Sequence, residues 1–254
     1  MTKPVKSVKQ PVGLAPLVSH VEEVCKNAER HGSTEFVKPP HLLLTLDAGE
    51  GRTTAASYIA RAYQANRVRF FGGLERMLEY KLDGTMAGVR SMLTDTQANA
   101  VYTNQFEGVL AIDPAALAAH LQEAQTALFL RKLPELGRYA TLVLFVPTEQ
   151  SRNLEQLTQK IRSALPDLAE IEISAYTERE LAEITRRVLE DGGVGPAPEG
   201  LDEMLLQEVR KAHGKTAKDA EQLAYTLARR AVLSAGAFFG AAAFGTGTKK
   251  EAGV

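Results

Sequence analysis

The sequence predicts an α/β fold: a three-layer arrangement with a parallel sheet covered by helices, followed by a small all-helical unit. Three observations carry this. Short apolar runs (HLLLTL at 41–46, GVLAID at 108–113, TLVLFV at 141–146) alternate with stretches whose apolar residues recur at helical spacing. The runs are apolar throughout rather than every second residue, the pattern of strands buried on both faces. From Thr177 onward helical spacing continues without a further strand pattern.

Residues 1–10, MTKPVKSVKQ, read as a basic flexible arm. From Pro16, the spacing of Leu17, Val21, Val24 and Ala28 predicts an amphipathic helix over 17–30. His31-Gly32-Ser33-Thr34 ends it, and Pro39-Pro40 lead into the strand 41–46. After a loop, Ala55, Ala56, Ile59, Ala60 and Tyr63 continue a helix as far as Asn66, and Val68 to Phe71 reads as a second short strand closed by Gly72-Gly73. Met86, Val89, Met92 and Leu93 mark the next helix, which starts near Gly84. Asp113 then ends a strand as the N-cap of a helix opened by Pro114, a residue suited to the first helical position. Leu117, Leu121, Ala124 and Leu128 prolong that helix. The strand 141–146, a helix carrying Leu154, Leu157, Ile161 and Leu165, and a short strand Ile171–Ile173 complete the alternation.

Thr177 and Glu180 then form a capping box ahead of Leu181, Ile184 and Val188. Past the turn 192–196, residues 201–213 and 216–233 read as helices. The expected organisation is an arm (1–10), an α/β domain (11–174), a helical lid domain (175–238) and a Gly/Ala-rich tail (239–254) expected to be disordered.

Chemistry concentrates at 41–56, HLLLTLDAGEGRTTAA, a strand, a glycine-containing loop and a helix start. That is the layout of a phosphate-binding P-loop, G-x-x-x-x-G-K-S/T. The first Gly position holds Leu46 and the Lys position Arg52, while Gly51 and Thr53 are kept, Thr54 follows in the helix start, and Gly49 and Glu50 lie within the loop. Arg52 keeps a positive charge but is bulkier and planar. Asp47 and Glu50 set negative charge beside a site meant for a polyanion, a repulsion of about 1 kcal/mol per exposed charge. The bland reading of Gly49 and Gly51 is a tight strand-to-helix turn.

Between these anchors the chain resembles the AAA+ ATPases. Gly13-Leu14-Ala15-Pro16 resembles the box before the first AAA+ strand, near which adenine lies in that family. Phe106 to Asp113, FEGVLAID, resembles a Walker B strand of the GGVLFIDEAY form. Leu157 to Leu165 is similar to the NPGLRSRF segment, and Ala175 to Ile184 to the Y-T-x-x-E-L-x-x-I entry into the lid. These forms belong to the CbxX-like group, that of red-type rubisco activase, and the resemblance covers about residues 11–235.

The resemblance implies a Mg–ATP site built from Gly13, Leu14, Gly49, Glu50, Gly51, Arg52, Thr53 and Thr54, with Asp113 and Thr53 towards the metal. It also exposes departures. The catalytic Glu position is Pro114, which has no carboxylate to orient the attacking water. The arginine-finger position is Ala164, with Arg162 two residues away. The sensor 2 Arg position is Ala217, with Lys218 beside it, and Thr148 and Gln150 stand where a polar sensor 1 projects. The N-cap role explains Asp113 without a metal.

With Arg52 in place of Lys, four charge-bearing positions have changed, and the sequence reads as a non-hydrolysing pseudo-ATPase, an interaction or regulatory subunit with no catalytic residue and no required cofactor. The alternative is an ATP-binding AAA+ enzyme or nucleotide switch using Arg52, Thr53 and Asp113 for ATP and Mg²⁺. The expected partners are proteins, among them active AAA+ relatives or a ring assembly. A net charge of −1 over 254 residues gives no overall field for nucleic acid. The five histidines show no metal-ligand spacing, and the single cysteine, Cys25, fits a reducing compartment. No apolar stretch reaches the roughly 18 residues of a membrane span. The lysines of the N-terminal arm have no apolar segment behind them, so a cytoplasmic location is expected.

Overall fold

The computed structural model describes residues 8–30, 39–66, 68, 77–103, 108–192 and 200–233. The expected tail 239–254, the turn 193–196, Phe106-Glu107 and most of the arm lie outside the described residues. The chain divides into two compact units, Met1–Ile173 and Ser174–Val254.

The first unit is built on a five-stranded, all-parallel sheet in the order β2-β3-β4-β1-β5. Its strands are β1 (His41–Thr45), β2 (Met77–Lys81), β3 (Gly108–Asp113), β4 (Ala140–Val146) and β5 (Leu168–Glu172). β1 lies between β4 and β5, with Leu43 opposite Leu144 on one side and Glu170 on the other. Parallel neighbours need crossovers, and helices supply them: α1 (Ala15–Arg30), α2 (Arg52–Ala65), α3 (Met86–Thr103), α4 (Ala124–Tyr139) and α5 (Arg152–Ala164). Alternate strand residues feed two separate layers. Leu43, Leu110, Ile112, Leu142, Leu144 and Val146 pack with Val89 and Met92 of α3, Phe129 and Leu133 of α4, and Leu157 and Ile161 of α5. α1 and α2 pack on each other, α2 also against β2 and β3 and α1 against β5. The central strands are buried on both faces, which is why they read as unbroken apolar runs.

Three expectations are corrected. The strand read at 68–71 is not the second strand of the sheet: Val68 lies in a bend, 69–71 fall outside the described residues, and Met77–Lys81 fills the position. As a partly exposed edge strand, MLEYK needs no apolar run. The helix read from Asp113 through Leu128 is two elements, a 3₁₀ helix at Ala115–His120 and then α4. Glu123, extended at φ −94° and ψ 161°, separates them. The last strand begins three residues before Ile171, at Leu168.

Cys25 of α1 is buried against α2, its thiol 3.9 Å from the Ala62 carbonyl. Burial, with the negative charge of Glu29 as a smaller contribution, pushes it up to about 12.

The second unit holds α6 (Glu178–Asp191), α7 (Leu201–Ala212) and α8 (Ala217–Leu233). Its core gathers Leu181 and Leu189 of α6, Leu201, Leu205 and Val209 of α7, and Ala220, Ala224 and Leu227 of α8. The capping box is complete: Glu180 N–H donates to Thr177 Oγ1 at 3.2 Å and Thr177 N–H to Glu180 Oε2 at 2.8 Å. Buried Thr185 stitches α6 to α8, its hydroxyl 2.9 Å from the Leu181 carbonyl and 3.2 Å from that of Ala220.

Leu144→Ala is expected to lower unfolding free energy by about 2–5 kcal/mol, the range for emptying a fully buried leucine site. Thr177→Ala is expected to cost about 1 kcal/mol through the lost cap. Urea titrations followed by circular dichroism check both. A thiol reagent should label Cys25 slowly in native protein and rapidly in denaturant, because only the thiolate reacts.

Candidate functional site

The site begins where β1 ends. Leu46 still donates its N–H to the Val146 carbonyl at 2.9 Å, and its side chain is fully buried. The position that takes glycine in a phosphate loop is thus part of the core. The chain then turns: Glu50 N–H donates to the Asp47 carbonyl at 3.2 Å, and Asp47 N–H to Glu50 Oε2 at 3.2 Å. Asp47 Oδ1 accepts from Thr148 N–H at 2.9 Å, fastening the loop to the segment after β4. The two acids expected to repel a polyanion therefore hold backbone N–H groups, and Glu50 is buried.

Gly49 and Gly51 have φ of 89° and 87°, left-handed values that a Cβ makes costly. Gly51 is the N-cap of α2, and no side chain caps that helix. This part of the P-loop frame is intact, and Thr53 and Thr54 stand exposed on its first turn.

Arg52 does something else. Its Nε donates to the Leu46 carbonyl at 2.8 Å, and Nη1 meets Asp113 Oδ2 at 2.6 Å, with the two side chains only 13% and 14% exposed. The guanidinium carbon lies 5.6 Å from the centroid of the Phe145 ring, within cation–π range. The second oxygen of Asp113 accepts from Ala115 N–H at 3.0 Å; the N-cap of the 3₁₀ helix is Pro114 rather than the expected Asp113, which ends β3 one residue earlier. Thr53 Oγ1 donates to Glu79 of β2, 3.0 and 2.9 Å from its two carboxylate oxygens.

These contacts test the fit of a Mg–nucleotide. A phosphate meeting Arg52 has to compete with Asp113, a metal ion at Asp113 has to compete with Arg52, and the Thr53 hydroxyl is turned to Glu79. The side chains as arranged do not fit the group, because its prospective partners are engaged with one another.

The other predicted positions are distributed as follows. Gly13, at φ 74°, and fully buried Leu14 form the turn before α1. Pro114 is buried at the start of the 3₁₀ turn. Ala164 packs against the core, and Arg162 is paired bidentately with Glu170 of β5 at 2.6 and 2.8 Å. The guanidinium holds the Glu170 carboxyl below its ordinary value. Gln150 Oε1 accepts from Thr158 at 3.5 Å. In the helical unit Ala217 is buried and Lys218 exposed. Sequence reasoning missed Glu79 and Phe145; the signal for Glu79 was the alternation of half-buried Leu78 and Tyr80 with exposed Glu79 and Lys81.

A double-mutant cycle of Arg52→Ala and Asp113→Ala should give a coupling of about 1.5–3 kcal/mol, as for a shielded, charged hydrogen bond. The same cycle on exposed Arg162 and Glu170 should give less than about 1 kcal/mol. Unfolding titrations of the four single and two double variants decide the order.

No protein-family profile matches the sequence, and no curated protein does. The fold, however, has solved counterparts. The Thermotoga maritima RuvB Holliday junction branch migration motor is 18% identical, with a TM-score of 0.60 over 92% of this chain and 67% of that one. A single-residue variant of the same RuvB, also 18% identical, gives a TM-score of 0.62 over the same shares. Domain III of the Thermotoga maritima replication initiation protein DnaA is 14% identical, with a TM-score of 0.54 over 91% of this chain and 92% of that one. The chain thus spans about two thirds of the RuvB chains and nearly all of the DnaA domain. Its fold is the α/β P-loop NTPase fold that it shares with these structures, with a helical C-terminal part.

Proposed function

We propose that this chain is a degenerate AAA+ module of the CbxX-like kind that does not hydrolyse ATP and serves as an interaction or regulatory subunit. The observation that carries the reading is the Arg52–Asp113 ion pair at 2.6 Å, which joins the Walker A cation to the Walker B acid. Pro114 beside it supplies no base for an attacking water. The expected partners are proteins, active AAA+ relatives or a ring assembly, met in the cytoplasm. RuvB is named a Holliday junction branch migration motor and DnaA a replication initiation protein; a net charge of −1 gives this chain no overall field for nucleic acid, and a protein partner is the reading we adopt.

A nucleotide switch is the second reading, and one observation favours it. The left-handed glycines and uncapped start of α2 leave a backbone of the form that receives phosphate.

Phosphate release from Mg–ATP by the purified protein is expected to stay at the level of a Thr53→Ala variant. Activity well above that variant overturns the reading. Thermal-shift series with ATP and ADP, with and without Mg²⁺, separate the two readings, since a ligand bound to the native state raises its melting temperature. No shift at millimolar Mg–ATP is expected.

A further inference from the structure

We propose that Glu79 is the gate residue of this loop: an internal carboxylate, placed on the Thr53 hydroxyl, that weakens the binding of oligophosphates. The proposal rests on the non-hydrolysing reading above and names a residue outside the P-loop and Walker B segments. Glu79 sits on the edge strand β2, opposite Ala111 of β3, two residues before Lys81, which stands opposite Asp113. Both of its carboxylate oxygens lie within hydrogen-bond distance of Thr53 Oγ1, at 3.0 and 2.9 Å. A hydroxyl has one proton to give, so it anchors a full negative charge on the first turn of α2, beside the helix start that a phosphate group would approach.

Two internal acids thus occupy the two side chains that a P-loop reserves for its ligand, Asp113 on Arg52 and Glu79 on Thr53. They are not equivalent. Asp113 balances a guanidinium that is only 13% exposed and also holds the Ala115 N–H, so its removal disturbs the fold. Glu79 is exposed, and its contact to the loop is the exposed Thr53 hydroxyl. Its charge can be removed without unpairing a buried group, which makes it the residue that sets affinity without setting structure.

The test compares wild type with Glu79→Gln, which keeps the size and an acceptor oxygen for Thr53, and with Glu79→Ala as a second variant. Titration calorimetry with metal-free tripolyphosphate reads the affinity. Both variants are expected to bind it about tenfold more tightly than wild type, the effect of removing one nearby unit charge in a partly shielded site. Their melting temperatures without ligand should match wild type. Glu203→Gln, on the first turn of α7, removes one negative charge from the other unit and should bind as wild type does.

Equal affinity of the Glu79 variants and wild type, whether weak or absent throughout, overturns the gate and leaves the non-hydrolysing reading standing. A gain for Glu203→Gln as large as that for Glu79→Gln overturns it too, as an effect of net charge alone. Phosphate release by wild type above the Thr53→Ala level overturns the functional reading instead, with the affinity order still deciding Glu79.

Discussion

A guanidinium that cannot lose its proton, set into the end of a closely packed parallel sheet, has to be neutralised by the chain around it. Arg52 is that group. The register of the sheet brings its three contacts within reach: the Leu46 carbonyl at the exit of β1, Asp113 at the end of β3, and Phe145 at the end of β4 between them. β4 lies between β1 and β3, so an arginine starting α2 spans one intervening strand to find its carboxylate. An ammonium in its place would be a compact point charge, without the planar fork that holds Leu46 and Asp113 at once. The loop is fixed by the same logic. Asp47 and Glu50 point their carboxylates at backbone N–H groups, one of them in the segment after β4.

The pattern of burial explains which parts of this arrangement the sequence announces. Strands β1, β3 and β4 are buried on both faces and appear as short apolar runs between turn residues, the pattern of a buried strand. The capping box of Thr177 and Glu180 is local, so four residues suffice to reveal it. β2 is an edge strand whose signal is a weak alternation, outweighed by the more apolar run at Val68 to Phe71. The break between the 3₁₀ turn and α4 comes from one extended residue, Glu123, inside a stretch that keeps helical spacing.

The site divides along the same line. Gly49, Gly51, Arg52, Thr53 and Asp113 are legible because they lie at fixed offsets in two short segments. Their partners are not, because partner choice is a property of the sheet order. Spacing says nothing of a contact between residue 53 and residue 79, which are 26 positions apart. Nor does it say whether a loop carboxylate faces a ligand or its own backbone, and for Asp47 and Glu50 the structure gives the second answer.

The altered positions share a physical character. Pro114 is buried at the turn after β3, Ala164 packs against the core, and Ala217 is buried in the helical unit. Each stands where the resemblance places a charged side chain, and each is instead in contact with the interior. A glutamate at 114 would have to desolvate a second carboxylate next to Asp113. Around the loop the four carboxylates Asp47, Glu50, Glu79 and Asp113 are each held by a donor of the chain itself, a backbone N–H, the Thr53 hydroxyl or the Arg52 guanidinium. Those contacts join β1, β2, β3 and the segment after β4, so the charges of the loop are set by several elements together.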